Sequence, residues 1–422
     1  MRVIGKLKPA TKRITTVENR KYGVIFYDED NAYPQRILQL VNSSPTAKSC
    51  VETYSRFIGG EGFKDPKFYK AIANTRGQTM DRVVDMVKQD VARFRGFAIH
   101  FNVTAEGKIS GIHHVPFEHV RLLTDAKRGE TGCDYAIYKD WAKAQKLNIK
   151  SDEIQYINRL ELDSEKIIEQ IAKAGDTVNY KGQLLYHSFD DGGYPLASCD
   201  AVLEAMYAEI QSDITTTKNI ENNFTAKGIL VHKGKFATDD EAEEFEDDVA
   251  EFIGPEGSSL IVVDVSKDEE KPEFIKIDSF ANDKIFEYTD RKVREKIVLN
   301  WMIPKVLMSI SENNMFSDEQ FTVATKYYNM LTVKERLLLE ETFKMVAENF
   351  ELDIRSKDND YSISLIEFKI DKSEIPVGLL DFLQHPSDVA SKRAGLEILF
   401  GINPEDAARL VPDTAILPDT AV

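Results

Sequence analysis

The sequence predicts an α+β protein, and three observations carry that reading. Short runs alternating apolar and polar residues cluster before residue 190. Long apolar stripes at helical spacing dominate from Tyr194 to Phe350. Between the first two stripes lies a compact acidic segment, Lys227 to Asp283, patterned strand, helix, strand, strand. The long helices carry polar surface all along their stripes. A closed monomeric core does not need that arrangement, whereas a ring of subunits around a channel does.

The N-terminal part justifies its elements in turn. Tyr22 to Tyr27 alternates as a strand, and Asp30-Asn31 with Tyr33-Pro34 marks a turn. Ser44 and Pro45 open a helix as N-cap and first residue. That helix carries Ala47, Val51, Tyr54 and Phe57 on one face and is stopped by Gly59-Gly60. Gln78 to Arg95 is a second amphipathic helix. Strands are expected at Gly96–Val103, Ile109–Val115, His119–Leu123, Tyr135–Tyr138, Glu153–Ile157 and Leu184–His187, forming an antiparallel sheet.

In the central part, Leu203, Met206, Ile210 and Ile214 step by 3, 4 and 4. The segment from Tyr194 to Ala226 reads as about 45 Å of rod at the helical rise. Glu204, Glu209, Gln211 and Asp213 fall on its opposite, polar face. Thr238 caps a helix in the acidic insert, where Asp239 to Asp248 holds eight carboxylates, among them Asp239, Asp240, Glu241, Glu243 and Glu244. These read as a solvated face or as a surface for a basic partner.

A second long helix runs Asp283 to Met302, with Phe286, Val293, Ile297 and Trp301 on one side and Arg291, Lys292, Arg294 and Lys296 interleaved. Those cations either balance acidic neighbours as surface ion pairs or line a passage for a polyanion. Pro304 breaks the helix, and Ser317-Asp318 starts a third. Its inner face is Phe321, Ala324, Tyr328 and Leu331, and β-branched Thr332 and Val333 hint at a bend.

Composition sets the outer limits. The 422 residues allow two or three domains, and 42% apolar with 30% charged residues describes a globular chain. No run of 18 apolar residues exists, so no bilayer-spanning helix is expected. The basic start MRVIGKLKPATKR has no apolar core behind it and is not read as a secretory signal. Cys50, Cys133 and Cys199 are too sparse for a disulfide framework or a paired-cysteine metal site and suit a reducing compartment. A net charge of −17 disfavours tight nucleic-acid binding but allows passing contact, because an acidic wall repels phosphate.

Enzyme chemistry finds little support. His113, His114, Glu118 and His119 form the densest histidine cluster, but HHVPFEH is not the zinc-protease spacing. No nucleotide-binding glycine motif and no nucleophile elbow occurs. Asp190 and Asp191 with Glu204 can be imagined as a metal-dependent nuclease set, although a solvated turn accounts for them. No cofactor, metal site or catalytic residue is expected. Two classes remain: a structural conduit, and a metal-dependent nucleic-acid enzyme or a non-conduit adaptor.

The order of these segments resembles the portal proteins of tailed bacteriophages of the siphophage type. The resemblance rests on the run GGYPLASCDAVLEAMYAEIQSDITTTKNIENNFTAKGILVH and on KVREKIVLNWMIPKVLMSISENNMFSDEQFTVATKYYNMLTVKERLLLEETF. Upstream, DNAYPQRILQLVNSSPTAKSCVETYSRFIGGEGF resembles the N-terminal helix of such proteins. Its usual Ser-Pro before the first long helix is Tyr194-Pro195 here. The likeness covers about Asp30 to Phe350, and its specificity lies in the succession of segments rather than in any one motif.

That resemblance implies a portal fold. Residues 1–196 would form the N-terminal part of a wing, 197–226 a stem helix, 227–283 a clip and 284–302 the second stem helix. Residues 303–318 would form a tunnel loop, 319–380 a long helix and the rest of the wing with a strand over Tyr361–Ile370, and 381–422 a short helical crown. It implies a dodecamer at one capsid vertex of a virion, assembled in the host cytoplasm, through which double-stranded DNA passes without tight binding. Large terminase, a head-tail adaptor, and major capsid and scaffold proteins would be its partners, with no membrane. Lys305, Ser309, Ser311, Asn313 and Asn314 would face DNA from the tunnel loop, Arg291, Lys292, Arg294 and Lys296 would line the stem, and the acidic clip residues would meet partners.

Overall fold

The computed structural model describes residues 14, 16–141, 153–176, 179–190, 193–221, 228–231, 273–276, 283–308, 318–368, 382–383 and 388–411. It divides into two units, Met1–Ile366 and Glu367–Val422.

In the first unit, β1 (Val17–Asn19) pairs antiparallel with β2 (Val24–Phe26). Helix α1 (Tyr33–Ser43) follows at once. Tyr33-Pro34, expected as a turn, instead opens this helix, because proline in a first helical turn forfeits no intrahelical bond. The chain turns earlier, at Asp28 and Asn31, both of which have positive φ. Helix α2 (Pro45–Gly59) begins as expected, with the Ser44 side chain accepting from the Ala47 amide at 3.2 Å. It ends where Gly60 takes φ 51°, and a Cβ there would lie 2.0 Å from the Ser364 carbonyl oxygen. Short helix α3 (Pro66–Tyr69) leads to α4 (Met80–Phe94).

Helix α4 buries Met80, Val83, Val84, Val87, Val91 and Phe94, the 3-4 stripe read from sequence. It packs on α2 and on the main sheet. That sheet comprises β3 (Gly96–Val103), β4 (Ile109–Val115), β5 (Val120–Leu122), β6 (Tyr135–Ile137), β7 (Gln155–Arg159) and β8 (Gln183–Ser188). Its order is β4-β3-β8-β7-β6-β5. Phe97, Ile99 and Phe101 of β3 are fully buried, each stabilising the fold by about 1.5–3 kcal/mol through removal from water.

The sheet is mixed, not antiparallel throughout: β7 and β8 run parallel. A parallel neighbour needs a crossover, supplied by α6 (Ser164–Ala174), which lies after the short α5 (Asp125–Thr131). Sequence reading passed over α6, although Asp163 caps it and Ile167 and Ile171 are its buried i, i+4 pair.

Beyond the sheet come α7 (Leu203–Glu221), α8 (Asp283–Asn300), α9 (Asp318–Leu331) and α10 (Val333–Asn349). The helix expected to start near Tyr194 starts later, after a 3-10 turn at Asp200–Val202. Tyr194, Ala197 and Cys199 are consumed in packing instead. The strand expected over Tyr361–Ile370 is, within the described residues, an extended segment with one isolated bridge, Ile363 to Phe63. The Glu61 and Lys64 amides donate to Ser364 and Ser362 carbonyls at 2.9 and 3.0 Å.

The second unit holds α11 (Val389–Phe400), capped by Asp388, and α12 (Pro404–Leu410), capped by Asn403. Leu396, Ala407 and Val411 form its small core.

Candidate functional site

The site is built where α7 and α8 stand side by side on the body of the first unit. The two helices are antiparallel neighbours. The Asn300 side-chain amide, at the end of α8, donates to the Ser198 carbonyl just ahead of α7, at 2.7 Å. Farther along, Arg294 Nε lies 4.0 Å from Glu209 Oε1. Strands β9 (Gly228–Val231) and β10 (Glu273–Lys276), which follow α7 and precede α8, pair antiparallel. The chain therefore leaves along α7 and returns along α8 through a paired pair of strands. The helix and middle strand expected inside the insert, with Asp239, Asp240, Glu241, Glu243 and Glu244, lie outside the described residues.

Helix α8 buries Ile297, Val298 and Trp301 against α2 and presents its cations outward. Glu295 accepts from Lys292 Nζ and from Lys305 Nζ, each at 3.0 Å. These two hydrogen bonds hold the Glu295 carboxyl down to about 2 and raise Lys292. Arg294 pairs with Asp290 at 3.0 Å. Lys292, Arg294 and Lys305 are thus paired with carboxylates, yet their side chains remain half or more exposed. Arg291 lies beside the Tyr288 ring, its Cζ 6.0 Å from the centroid, and Lys296 is exposed.

Helix α8 ends at Trp301-Met302, where Met302 takes φ 52°, and Pro304 prevents its continuation. Lys305–Met308 forms one 3-10 turn, pinned by buried Ile303 and by the Thr53 hydroxyl 3.8 Å from the Met308 sulfur. Ser309, Ser311, Asn313 and Asn314 lie outside the described residues.

Helix α9 docks its expected inner face, with Tyr328 donating to the Trp301 carbonyl at 3.0 Å and meeting Phe57 edge-on at 4.9 Å. The bend expected at Thr332-Val333 is a break between two helices. Buried Arg336 donates from Nη2 to the Asn329 carbonyl at 2.6 Å and to the Thr332 hydroxyl at 3.0 Å, covering carbonyls that the end of α9 leaves open.

Sequence reading placed Glu209 on a polar face, and the structure corrects this. Glu209 is 1% exposed and accepts hydrogen bonds from the Ser44 and Thr46 hydroxyls at the N-terminus of α2, where the helix dipole favours an anion. Its proximity adds to burial in pushing the Cys50 thiol up to about 12. A three-residue step from Met206 is the signal that could have placed it at the stripe's edge. A second unforeseen feature is fully buried Arg121, which donates to Asn31, Glu118 and Val120 oxygens beneath Tyr27 and Trp141. Burial holds its guanidinium down to about 10.

The histidine cluster is dispersed. His114 bonds Asp90 at 2.7 Å and His113 lies 3.2 Å from the Asn102 amide, while the His119 carbonyl accepts from the Trp141 indole at 2.7 Å. Asp190 accepts from the Leu196 amide at 3.0 Å, acting within its own turn. Among the described residues no three His, Cys, Asp or Glu side chains are placed to hold a metal.

No protein-family model and no curated protein matches the chain. Among solved structures, it is similar to a chain from the neck of a native gene transfer agent particle computed with C12 symmetry, at 12% identity and TM-score 0.45, over 90% of this chain and 94% of that one. A chain from the virion of a native gene transfer agent particle gives 12% identity and TM-score 0.43, over 87% and 94%. A chain from the neck of an empty particle, computed with C6 symmetry, gives 11% and 0.45, over 88% and 94%.

Proposed function

We propose that the chain is the subunit of a ring-shaped portal, a non-enzymatic conduit for double-stranded DNA at one vertex of a phage-type capsid. The observation that carries the reading is the out-and-back pair α7 and α8, closed through β9 and β10 and followed by a proline-started turn and a broken long helix. The same succession carries the sequence resemblance. In this reading α7 and α8 are the stem, the insert is the clip, and the turn at Lys305 begins the tunnel loop. Twelve copies stand in the ring, with terminase docking during packaging and a head-tail adaptor afterwards. Major capsid and scaffold proteins are its partners during assembly in the host cytoplasm, and it stands at one capsid vertex of the virion.

The mechanism is electrostatic. With −17 per chain, twelve copies carry roughly two hundred negative charges before counterions, so phosphate is repelled overall. Lys292, Arg294 and Lys305 offer N–H donors already engaged by the carboxylates of Glu295 and Asp290. Such donors touch a phosphate briefly without the release of counterions that makes DNA binding tight. Ser309, Ser311, Asn313 and Asn314 supply neutral donors on the same loop, Arg291 and Lys296 complete the stem lining, and Asp239, Asp240, Glu241, Glu243 and Glu244 face partners.

The test is mass photometry with negative-stain microscopy of the purified chain, including incubation with scaffold protein. Annular particles of about twelve subunits support the reading. A chain that stays monomeric in both conditions and cleaves DNA with a divalent metal would replace it with the enzyme alternative.

A further inference from the structure

Helix α9 carries a second apolar stripe beside the one it buries. Val323, Tyr327 and Met330 follow at i, i+4 and i+7, so they share one face, and they are 60%, 46% and 63% exposed. Met302, 58% exposed, continues the surface, lining an open groove together with Pro304, Val306, Val323 and Tyr327. These four side chains expose on the order of 400 Å², as much apolar area as the largest patch on a typical monomer and about half of the roughly 800 Å² that each partner contributes to a standard interface.

A second uncovered face lies on another flank. On α7 the stripe residue Met206 is buried, whereas Tyr207 beside the stripe and Ile214 at its far end, seven residues apart and so on one face, are exposed. Helix α7 packs on α8 and α1, whereas α9 packs on α2, α10 and the turn at Lys305. The chain thus has two separate apolar faces on different helices. Closed rings need heterologous contacts, in which one patch meets a different patch of the next copy.

We propose, resting on the portal reading, that the α9 stripe around Val323, Tyr327 and Met330 is half of the ring interface and is covered by the Tyr207–Ile214 face of α7 from an adjacent copy of this chain. The assignment accounts for why Tyr207 and Ile214 stand exposed on α7, left uncovered by the described residues of their own chain.

Two double variants test it: Val323→Glu with Met330→Glu, and Tyr207→Glu with Ile214→Glu. All four positions are exposed, so circular dichroism and melting temperature should match the parent. Mass photometry should show each variant alone as monomer, with the ring fraction down at least tenfold. An equimolar mixture should form heterodimers and nothing larger, because each such pair retains one intact face of each kind. Rings from either variant alone, or a mixture that stays monomeric, would overturn the pairing while leaving the portal reading in place. A parent chain that forms no ring with scaffold present would instead overturn the portal reading itself.

Discussion

Lys305, the first residue of the turn after Pro304, donates to Glu295, ten residues back on α8, at 3.0 Å. The bond ties the start of the proposed tunnel loop to the outer face of α8. It also places a carboxylate beside the one described cation of that loop, and Lys292 shares the same acceptor. In the proposed portal, this pairing would let a cationic group border the DNA path without gripping it.

Glu295→Gln should therefore free two cations without altering the fold. Duplex DNA binding by the assembled protein should rise, and its salt dependence should steepen, because each newly unpaired cation releases a counterion on contact. Fluorescence anisotropy against salt concentration measures this. Lys305→Ala should leave ring assembly intact and weaken that binding, whereas loss of rings in Lys305→Ala would count against the loop assignment.

Ser44 does two things at once: it caps α2 and donates to buried Glu209. Ser44→Ala removes the cap and leaves a buried carboxylate short of a donor, so it should cost about 1–3 kcal/mol. Glu209→Gln, which keeps the shape but not the charge, should cost less. Urea denaturation midpoints of the two variants give the comparison.

Arg336 holds the break between α9 and α10 from inside. Arg336→Ala should destabilise by about 2 kcal/mol, the scale of a lost hydrogen bond from a charged donor, and hydrogen exchange should quicken first at the end of α9. A melting temperature unchanged by the substitution would show that the break stands without it.

Burial lowers the pKa of His100, His113, His119 and His187 from 6.5. A histidine lowered in the folded state takes up its proton preferentially when unfolded, so stability is full above about 6.5 and declines as pH falls below it. Melting temperature should drop between pH 7.5 and 5.5, and His100→Gln should flatten that slope. Glu295, held down to about 2, works in a different window: its contribution is present above its ordinary 4.5 and is lost as pH falls toward 2. A melting temperature that rises on mild acidification would refute the histidine assignment.

Local rules made much of the fold readable. Ser44-Pro45 gave the start of α2, the 3-4 stripes gave α4, α8 and α9, and Thr332-Val333 marked a break. The failures were long-range. Tyr33-Pro34 looks like a turn locally, yet the Tyr33 hydroxyl accepts from the Ala197 amide at 3.0 Å and donates to Asp200 at 2.8 Å, contacts that no sequence window contains. The parallel β7–β8 pair was hidden because it depends on where α6 returns the chain. At the site, the cations were visible as types, and Glu295 and Asp290 stand three and four residues from Lys292 and Arg294 on the same helix, but the Arg294–Glu209 and Lys305–Glu295 pairs emerge only when separate elements are set against one another. The choice between solvated ion pairs and a channel lining was open in sequence. Within one chain the ion pairs are present, and the lining can be seen only in the assembly.

The most direct measurement is a reconstruction of the assembled particle by cryo-electron microscopy. The account predicts a closed ring with Lys305 and the outward face of α8 at the wall of a central hole wide enough for duplex DNA, and with the Val323–Met330 stripe buried between neighbours. A particle without a through-hole, or a ring with Lys305 on its outer circumference, would contradict it.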